Sequence, residues 1–482
     1  MKKYLAFDFG ADSGRAILGI VSGGKVRLEE VHRFPNRQIT IDGHLHWDAA
    51  YLLDELKKGL SLAVKQGHAD ISSVGIDSWG VDFAIVGEDG RLIEQPYSYR
   101  DSRTNGMMEQ VFKKISKAEI YSCTGIQFMQ INSIYQLYSE FCDNPARLNS
   151  SVTLLFMADL FNYFLTGKKL SEYTIASTSQ LLNVHEKRWD SKIFSSLGLP
   201  IGIMAPIVDP GTILGPLARE LGRESGLGED VNVVAVGCHD TASAVAAVPA
   251  TGDDWAFLSS GTWSIIGTEL DHPNVSEEAL RDDFTNEGGV RNRIRFVRNV
   301  MGMWLLQELR RNWKVEGKDY SYDELSNMAE HARRIGSVID PEDMSFLNPP
   351  YMAAVVRDYC KKTHQRIPQT DEEIVFCVLH SLAIKYSSTL QKMRCITGRK
   401  TSRLHIVGGG SRNDLLNQMT ADACGIPVTA GPAEATALGN IMVQAMADGE
   451  VESLDEARRI VGESFPVKVF KPAGRYKEKG YG

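Results

Sequence analysis

Tyr4-Leu5-Ala6-Phe7-Asp8-Phe9-Gly10-Ala11-Asp12-Ser13-Gly14-Arg15-Ala16-Ile17-Leu18-Gly19-Ile20-Val21 sets a turn of small polar residues between two apolar runs. Tyr4–Phe9 and Ala16–Val21 read as paired strands, and Gly23-Gly24 turns the chain into a third at Lys25–Phe34. That is a β-meander. Asp48–Lys65 then carries Leu52, Leu53, Leu56, Leu60, Ala63 and Val64 at helical spacing, followed by strands at Ser73–Asp77 and Asp82–Val86. Strands, a helix and further strands predict an α/β domain with a mixed sheet. The same grammar returns at Trp255–Leu258, Ser259-Ser260-Gly261-Thr262 and Trp263–Gly267, which predicts an internal duplication. Helices are expected over Met301–Asn312, Tyr322–Arg333, Asp371–Thr397 and Asn413–Cys424, with a strand at Arg403–Val407 feeding Gly408-Gly409-Gly410. Ala, Pro, Gly and Asp cluster between residues 245 and 253, where a domain boundary and a hinge are expected.

At 482 residues the chain exceeds one ordinary core, and roughly 150 residues per domain suggests two or three. Apolar residues at 43% and charged residues at 24% are those of a packed globular protein. The balance of 53 basic against 61 acidic residues, net −8, argues against a nucleic-acid or anionic-membrane surface and leaves small anionic ligands open. The first apolar run is interrupted by Asp8 and none approaches membrane-spanning length, so a cytoplasmic protein is expected. Seven cysteines without a C-x-x-C pair speak against zinc and against a secreted disulfide framework. Cys377 and Cys395 lie about five helical turns apart and are expected on one apolar helix face, while a Cys360–Cys377 bridge stays open.

Chemistry concentrates in a few small-residue turns. Gly237-Cys238-His239-Asp240-Thr241-Ala242-Ser243-Ala244 follows the apolar run Val231–Val236 and presents Asp240 either as a helix cap or as a base within reach of a substrate hydroxyl. The Asp8–Arg15 turn could cradle a phosphate with its backbone N–H groups, with Arg15 adding a fork-shaped cation and Asp8 suiting a magnesium ion held through water. Ser259–Thr262 is the same device with hydroxyls, and two such turns could hold the phosphates of one nucleotide from both sides. Gly408-Gly409-Gly410 would let a flat ring lie against the backbone at a helix start. Neither G-x-x-x-x-G-K-[ST] nor G-x-G-x-x-G occurs. Asp77–Asp82 and Tyr99–Arg103 mix aromatic, acidic and basic groups as sugar sites do, with surface ion pairs as the alternative.

The D-x-G-x-x-x-G-R turn, the Arg100–Arg103 segment, Gly-His-Asp, Ser-Ser-Gly-Thr and the triple glycine occur here in the order of the FGGY carbohydrate kinases, which the chain resembles. Gly75–Phe83, Tyr99–Gly106, Gly125–Phe128, His239–Val245, Ser259–Ser264, Asn299–Gln307 and Asp422–Gly425 extend the resemblance over about residues 4 to 445. It implies two duplicated α/β domains of the actin and hexokinase (ribonuclease H-like) type with an interdomain cleft. The domains would be residues 1–246, mainly sugar-binding, and 247–450, mainly ATP-binding, followed by an extension at 451–482. It further implies ATP as co-substrate with Mg²⁺ near Asp8, and L-rhamnulose phosphorylated at its C1 hydroxyl. Ala11, Asp12, Ser13, Gly14, Arg15, Thr262, Gln307 and Gly409 would contact ATP; Gly80, His239, Asp240, Thr241 and Asn299 would contact the sugar, with Asp240 as general base. Asp12 departs from the Ser or Thr of many relatives, which predicts weaker ATP affinity. Closure on the sugar would limit wasteful ATP hydrolysis. Kinases of L-fuculose or xylulose, and an inactive sugar-binding regulator, are the alternatives, and monomer and dimer stay open.

Overall fold

The computed structural model describes residues 1–228, 230–332, 335–347 and 349–473. Two compact units share the chain, which crosses between them more than once. The first comprises Met1–Pro249, Glu269–Phe296 and Ala435–Ser464; the second comprises Ala250–Thr268, Val297–Glu434 and the chain from Phe465.

In the first unit β1 (Lys2–Phe9), β2 (Ser13–Ser22) and β3 (Lys25–Pro35) form the expected meander. The helix α1 (Ala49–Lys65) is capped by Asp48, whose side chain accepts from the Tyr51 N–H at 3.0 Å, and it buries Leu52, Leu56, Leu60 and Ala63. Strands β4 (Ser73–Ser78), β5 (Thr212–Pro216) and β6 (Asn232–Ala235) complete a six-stranded sheet in the order β5-β6-β4-β1-β2-β3. β1, β4 and β6 run parallel, while β2, β3 and β5 pair antiparallel. Lys3–Phe9 of β1 and all of β4 are buried, because both faces of these central strands are covered. The segment after β6 turns into α2 (Asp240–Ala246). The helix Ala435–Ala447 packs against α2 so closely that a Cβ on Gly439 would stand 1.7 Å from the Ser243 carbonyl oxygen. Its Asn440 and Gln444 reach the sheet backbone at Gly75 O and Leu5 O, each at 3.2 Å.

The second unit repeats the arrangement. β7 (Trp255–Ser260) pairs antiparallel with β8 (Trp263–Leu270) and parallel with β9 (Arg403–Val407), then β10 (Val428–Ala430) and β11 (Lys468–Phe470) extend the order β8-β7-β9-β10-β11. A hairpin with a parallel strand beside its first arm thus occurs in both units. The second unit also holds the helices α3 (Trp304–Val315), α4 (Asp371–Thr397) and α5 (Asp414–Cys424). Asp371, Glu372 and Glu373 in the first turn of α4 suit the positive end of its macrodipole, and the Thr370 side chain caps it.

Several expectations need correction. The strand near Asp82–Val86 spans Phe83–Val86 and pairs with Thr153–Phe156 in a separate ribbon rather than in the main sheet. α3 starts three residues late because Met301 is held in the strand Ile294–Met301, and Gly302 and Met303 donate to Thr262 O and Gly261 O at 3.2 and 3.0 Å. The helix expected over Tyr322–Arg333 spans Tyr322–His331, and Arg333 lies outside the described residues. Cys360 and Cys377 are buried neighbours but both are free thiols, so they form no bridge. Cys395 is exposed while Cys377 is buried, so the two do not share one apolar face. Among the described residues no helix is long and apolar enough to cross a membrane.

Candidate active site

The parallel strands of the first unit bring their carboxyl ends together, the usual ligand position on such sheets. Asp8 near the end of β1 stands in register with Arg15 of β2 on one side and Asp77 of β4 on the other. Arg15 Nη2 is ion-paired with Asp8 Oδ2. Trp79 N–H donates to Phe9 O at 3.2 Å and Ser78 N–H to Cys238 O at 2.8 Å, so the turns after β1, β4 and β6 are laced side by side. Burial, then the neighbouring Asp8, pushes the Asp77 carboxyl well above its ordinary range; Asp240 adds to the push, while Asn440 and Arg15 oppose it. Asn440 Nδ2 donates to Asp77 Oδ2 at 2.6 Å, and Asp77 Oδ1 is buried without a hydrogen-bond partner. Asp8 and Asp240 therefore both act on the Asp77 carboxyl, and the Arg15 guanidinium opposes them.

Asp240 opens α2, but the cap position belongs to His239, and no side chain caps this helix. The capping role open to Asp240 from sequence is therefore not the one it has. Its Oδ1 accepts from Thr241 Oγ1 at 3.0 Å and lies 3.4 Å from His239 Nε2. The carboxylate is partly open to solvent, whereas Thr241 and His239 are buried. Beneath this turn Glu172 accepts from the backbone N–H of Thr174, Ile175 and Cys238, and Thr174 Oγ1 accepts from the His239 N–H. Burial pushes the Glu172 carboxyl up to about 7.

Around Gly80 the backbone is strained: Val81, a β-branched residue, has φ 66°. A Cβ on Gly80 would meet Thr178 Oγ1 at 3.0 Å, and the Val81 N–H donates to that same oxygen. Asp82 is fully buried and accepts from Trp47 Nε1 (2.6 Å), Trp79 Nε1 (2.9 Å), the Tyr99 N–H (3.1 Å) and Gln136 Nε2 (2.9 Å). Burial still pushes it up to about 6 against those donors. Asp82 thus fixes two indoles beside Gly80. The Tyr99–Arg103 segment divides: Asp101 accepts from the Leu45 and Arg103 N–H groups, and Arg103 is held by Glu140 and Gln136. Only Arg100 of these three charged residues faces the first hairpin, 3.8 Å from Asp12. Asp12 is exposed, with Ala11 and Ser13 half-buried beside it and Gly14 buried at the start of β2.

In the second unit the hairpin residue Thr262 accepts from Gln307 Nε2 at 3.3 Å, so these two sequence candidates do meet. Gly408 has φ 83°, and a Cβ on Gly410 would collide with Ser260 Oγ at 2.0 Å, whereas one on Gly409 would meet nothing within 4 Å. The outer glycines are demanded by packing, and the middle one faces open space. Asn299 lies half-buried on the strand Ile294–Met301 and falls in the second unit, whereas Gly80, His239, Asp240 and Thr241 fall in the first.

A model of the FGGY family of carbohydrate kinases, N-terminal domain, matches residues 3–247, and the C-terminal domain model of the same family matches residues 256–447. The chain belongs to the FGGY family of carbohydrate kinases. A rhamnulokinase of Bacteroides thetaiotaomicron is 45% identical over 98% of this chain and 96% of its own length. One of Oceanobacillus iheyensis is 41% identical over 97% of each chain. The structures of a gluconate kinase and a ligand-bound xylulose kinase, both from Lactobacillus acidophilus, superpose with TM-scores of 0.80 and 0.79 at 17% identity, covering 98% of this chain and 94% of theirs. At that identity they speak for the fold, a two-domain sugar-kinase α/β architecture. This FGGY chain is a carbohydrate kinase, and ATP is its co-substrate.

Sequence reasoning placed Asp77 with the sugar candidates and missed its proximity to Asp8. It also missed Glu287 and Arg295, which surround His239: Arg295 Nη2 stands 2.9 Å from His239 Nδ1, and Glu287 Oε2 is 3.3 Å from the same nitrogen. The only signal was a charge inside an apolar strand sequence, Ile294-Arg295-Phe296-Val297.

Proposed function

We propose that this kinase transfers the γ-phosphoryl group of ATP to the C1 hydroxyl of L-rhamnulose, giving L-rhamnulose 1-phosphate and ADP. The observation that carries the reading is 45% identity, over nearly the whole of both chains, to a protein called rhamnulokinase. Phosphoryl transfer asks mainly for positioning and for stabilisation of spreading negative charge. Asp240, partly exposed at the strand-end turn, accepts the hydroxyl proton as general base; Gly80, His239, Thr241 and Asn299 hold the sugar. Ala11–Arg15 and Thr262, Gln307 and Gly409 contact ATP, with Gly409 leaving room for the base or ribose.

Magnesium fits the residues present. Among the described residues no three His, Cys, Asp or Glu side chains converge as a direct ligand set, but Mg²⁺ keeps several waters and takes one or two carboxylates plus phosphate oxygens. Asp77 Oδ1, buried without a hydrogen-bond partner beside Asp8, supports a cation at this place. Asp8 and Asp77 would hold the ion, mostly through water, and it would supply charge neutralisation on the phosphates. We further assign residues 1–246 mainly to the sugar, 247–450 mainly to ATP and 451–482 to an extension, and place the enzyme in the cytoplasm, where ATP is supplied.

The test is ADP release with L-rhamnulose, L-fuculose and xylulose at equal concentrations. A kcat/KM for rhamnulose at least tenfold above the others, about 1.4 kcal/mol of discrimination, is the expected result. Equal or higher turnover of either competitor overturns the assignment.

A further inference from the structure

We propose that Arg295 is a positioning residue that fixes His239 as the Nε2–H tautomer, so that the ring proton is presented on the side of Asp240 and the sugar. The geometry rests on three buried side chains of the first unit. Arg295 is fully buried, a costly place for a guanidinium unless its fork is used. Its Nε donates to Gly288 O at 2.7 Å, its Nη2 lies 2.9 Å from His239 Nδ1, and its Nη1 has no hydrogen-bond partner. Glu287 Oε2 lies 3.1 Å from Arg295 Nη2 and balances its charge.

A guanidinium has five donors and no acceptor. The short Arg295 contact therefore requires a lone pair on His239 Nδ1, and the imidazole proton must sit on Nε2. Glu287 competes for Nδ1 at 3.3 Å and would demand the opposite tautomer, but it holds the longer contact and is paired with the guanidinium. The groups facing the ring are thus Asp240 from α2, Glu287 from the strand Thr285–Gly288 and Arg295 from the strand Ile294–Met301. Nε2–H then donates toward Asp240 Oδ1, 3.4 Å away, or to a hydroxyl of a bound ketose. It cannot act as a second base on that side, and proton acceptance is left to Asp240. This consequence rests on the kinase reading; the tautomer itself does not.

The experiment is a two-bond proton–nitrogen correlation spectrum of the full chain labelled with ¹⁵N-histidine, sugar-free, with the His239 signals assigned by His239→Gln. The expected wild-type pattern is a protonated Nε2 and a bare Nδ1. In Arg295→Met, Nδ1 should become protonated toward Glu287, and the KM for L-rhamnulose should rise about fivefold, the worth of one directed hydrogen bond, with the KM for ATP unchanged. A proton on Nδ1 in the wild type overturns the proposal, as does a tautomer that Arg295→Met leaves unaltered. Should Arg295→Met fail to fold, the wild-type spectrum decides alone. Because the spectrum is read without substrate, it decides the tautomer whichever ketose the enzyme takes.

Discussion

Replacing Asp240 by Asn removes a proton acceptor and very little structure. Asp240 is the first residue of a seven-residue helix whose cap position is His239, so it contributes no cap hydrogen bond. Its carboxylate sits near the positive end of the helix macrodipole, which is worth about 0.3–1 kcal/mol at an exposed terminus. The Thr241 hydroxyl contact at 3.0 Å survives, since the Asn carbonyl oxygen can accept it. Loss of the negative charge also relieves Asp77, whose carboxyl is pushed up by burial, then Asp8, and further by Asp240. The stability change should therefore stay below about 1 kcal/mol.

The catalytic change should be far larger. A positioned general base contributes about 10²- to 10⁴-fold, or about 2.7–5.4 kcal/mol in barrier height. Asp240→Asn should lower kcat for L-rhamnulose by at least that lower bound, measured as ADP release at saturating ATP and sugar. The urea midpoint should remain near wild type, and calorimetric sugar affinity should stay within roughly tenfold, as expected when an interaction made mainly in the transition state is removed. A folded Asp240→Asn enzyme retaining more than about a tenth of wild-type kcat would refute the base assignment.

What could be read in advance was what is encoded locally. The two hairpins and α4 were legible because alternation of apolar runs with small turns, and apolar recurrence at helical spacing, depend only on neighbours along the chain. The strand-end Asp240 and the small-residue phosphate turns were legible as candidates from their own residues, and the family's motifs assigned them roles. The start of α3 was not legible, because Gly302 and Met303 are fixed by hydrogen bonds to Thr262 O and Gly261 O on a distant hairpin. Asp77 was visible as a residue but not as a neighbour of Asp8, since that depends on the register of two parallel strands joined by a long connection. Arg295 meets His239 across 56 residues, and nothing in its own surroundings names the histidine. Cooperative charge placement of this kind is a property of the sheet, and a single sequence carries only the oddity of a buried-strand arginine.

Three other outcomes follow from the same site. Asp8→Ala and Arg15→Ala should each raise the KM for ATP, because the ion pair brackets the first hairpin and the Arg15 guanidinium opposes the upward shift of Asp77; unchanged ATP kinetics in both would remove the nucleotide assignment. Gly409→Ala should fold like wild type and raise the KM for ATP, whereas Gly410→Ala should unfold at lower urea, since its Cβ meets Ser260 Oγ at 2.0 Å; equal urea midpoints for the two variants would contradict the packing. The last concerns pH. Burial raises Glu172 from 4.5 to about 7 and Asp82 from 3.8 to about 6, so the folded chain binds protons that the unfolded chain, with carboxyls near 4, has already released. Stability must then fall as pH rises through about 4 to 7 and recover on acidification within that window. For Glu172 alone the difference is on the order of 3 kcal/mol. The urea midpoint should be higher at about pH 5.5 than at about pH 8, and Glu172→Gln, neutral at every pH, should flatten that slope. A wild-type midpoint that stays level or falls on acidification over this range would show that the donors around Glu172 and Asp82 outweigh their burial.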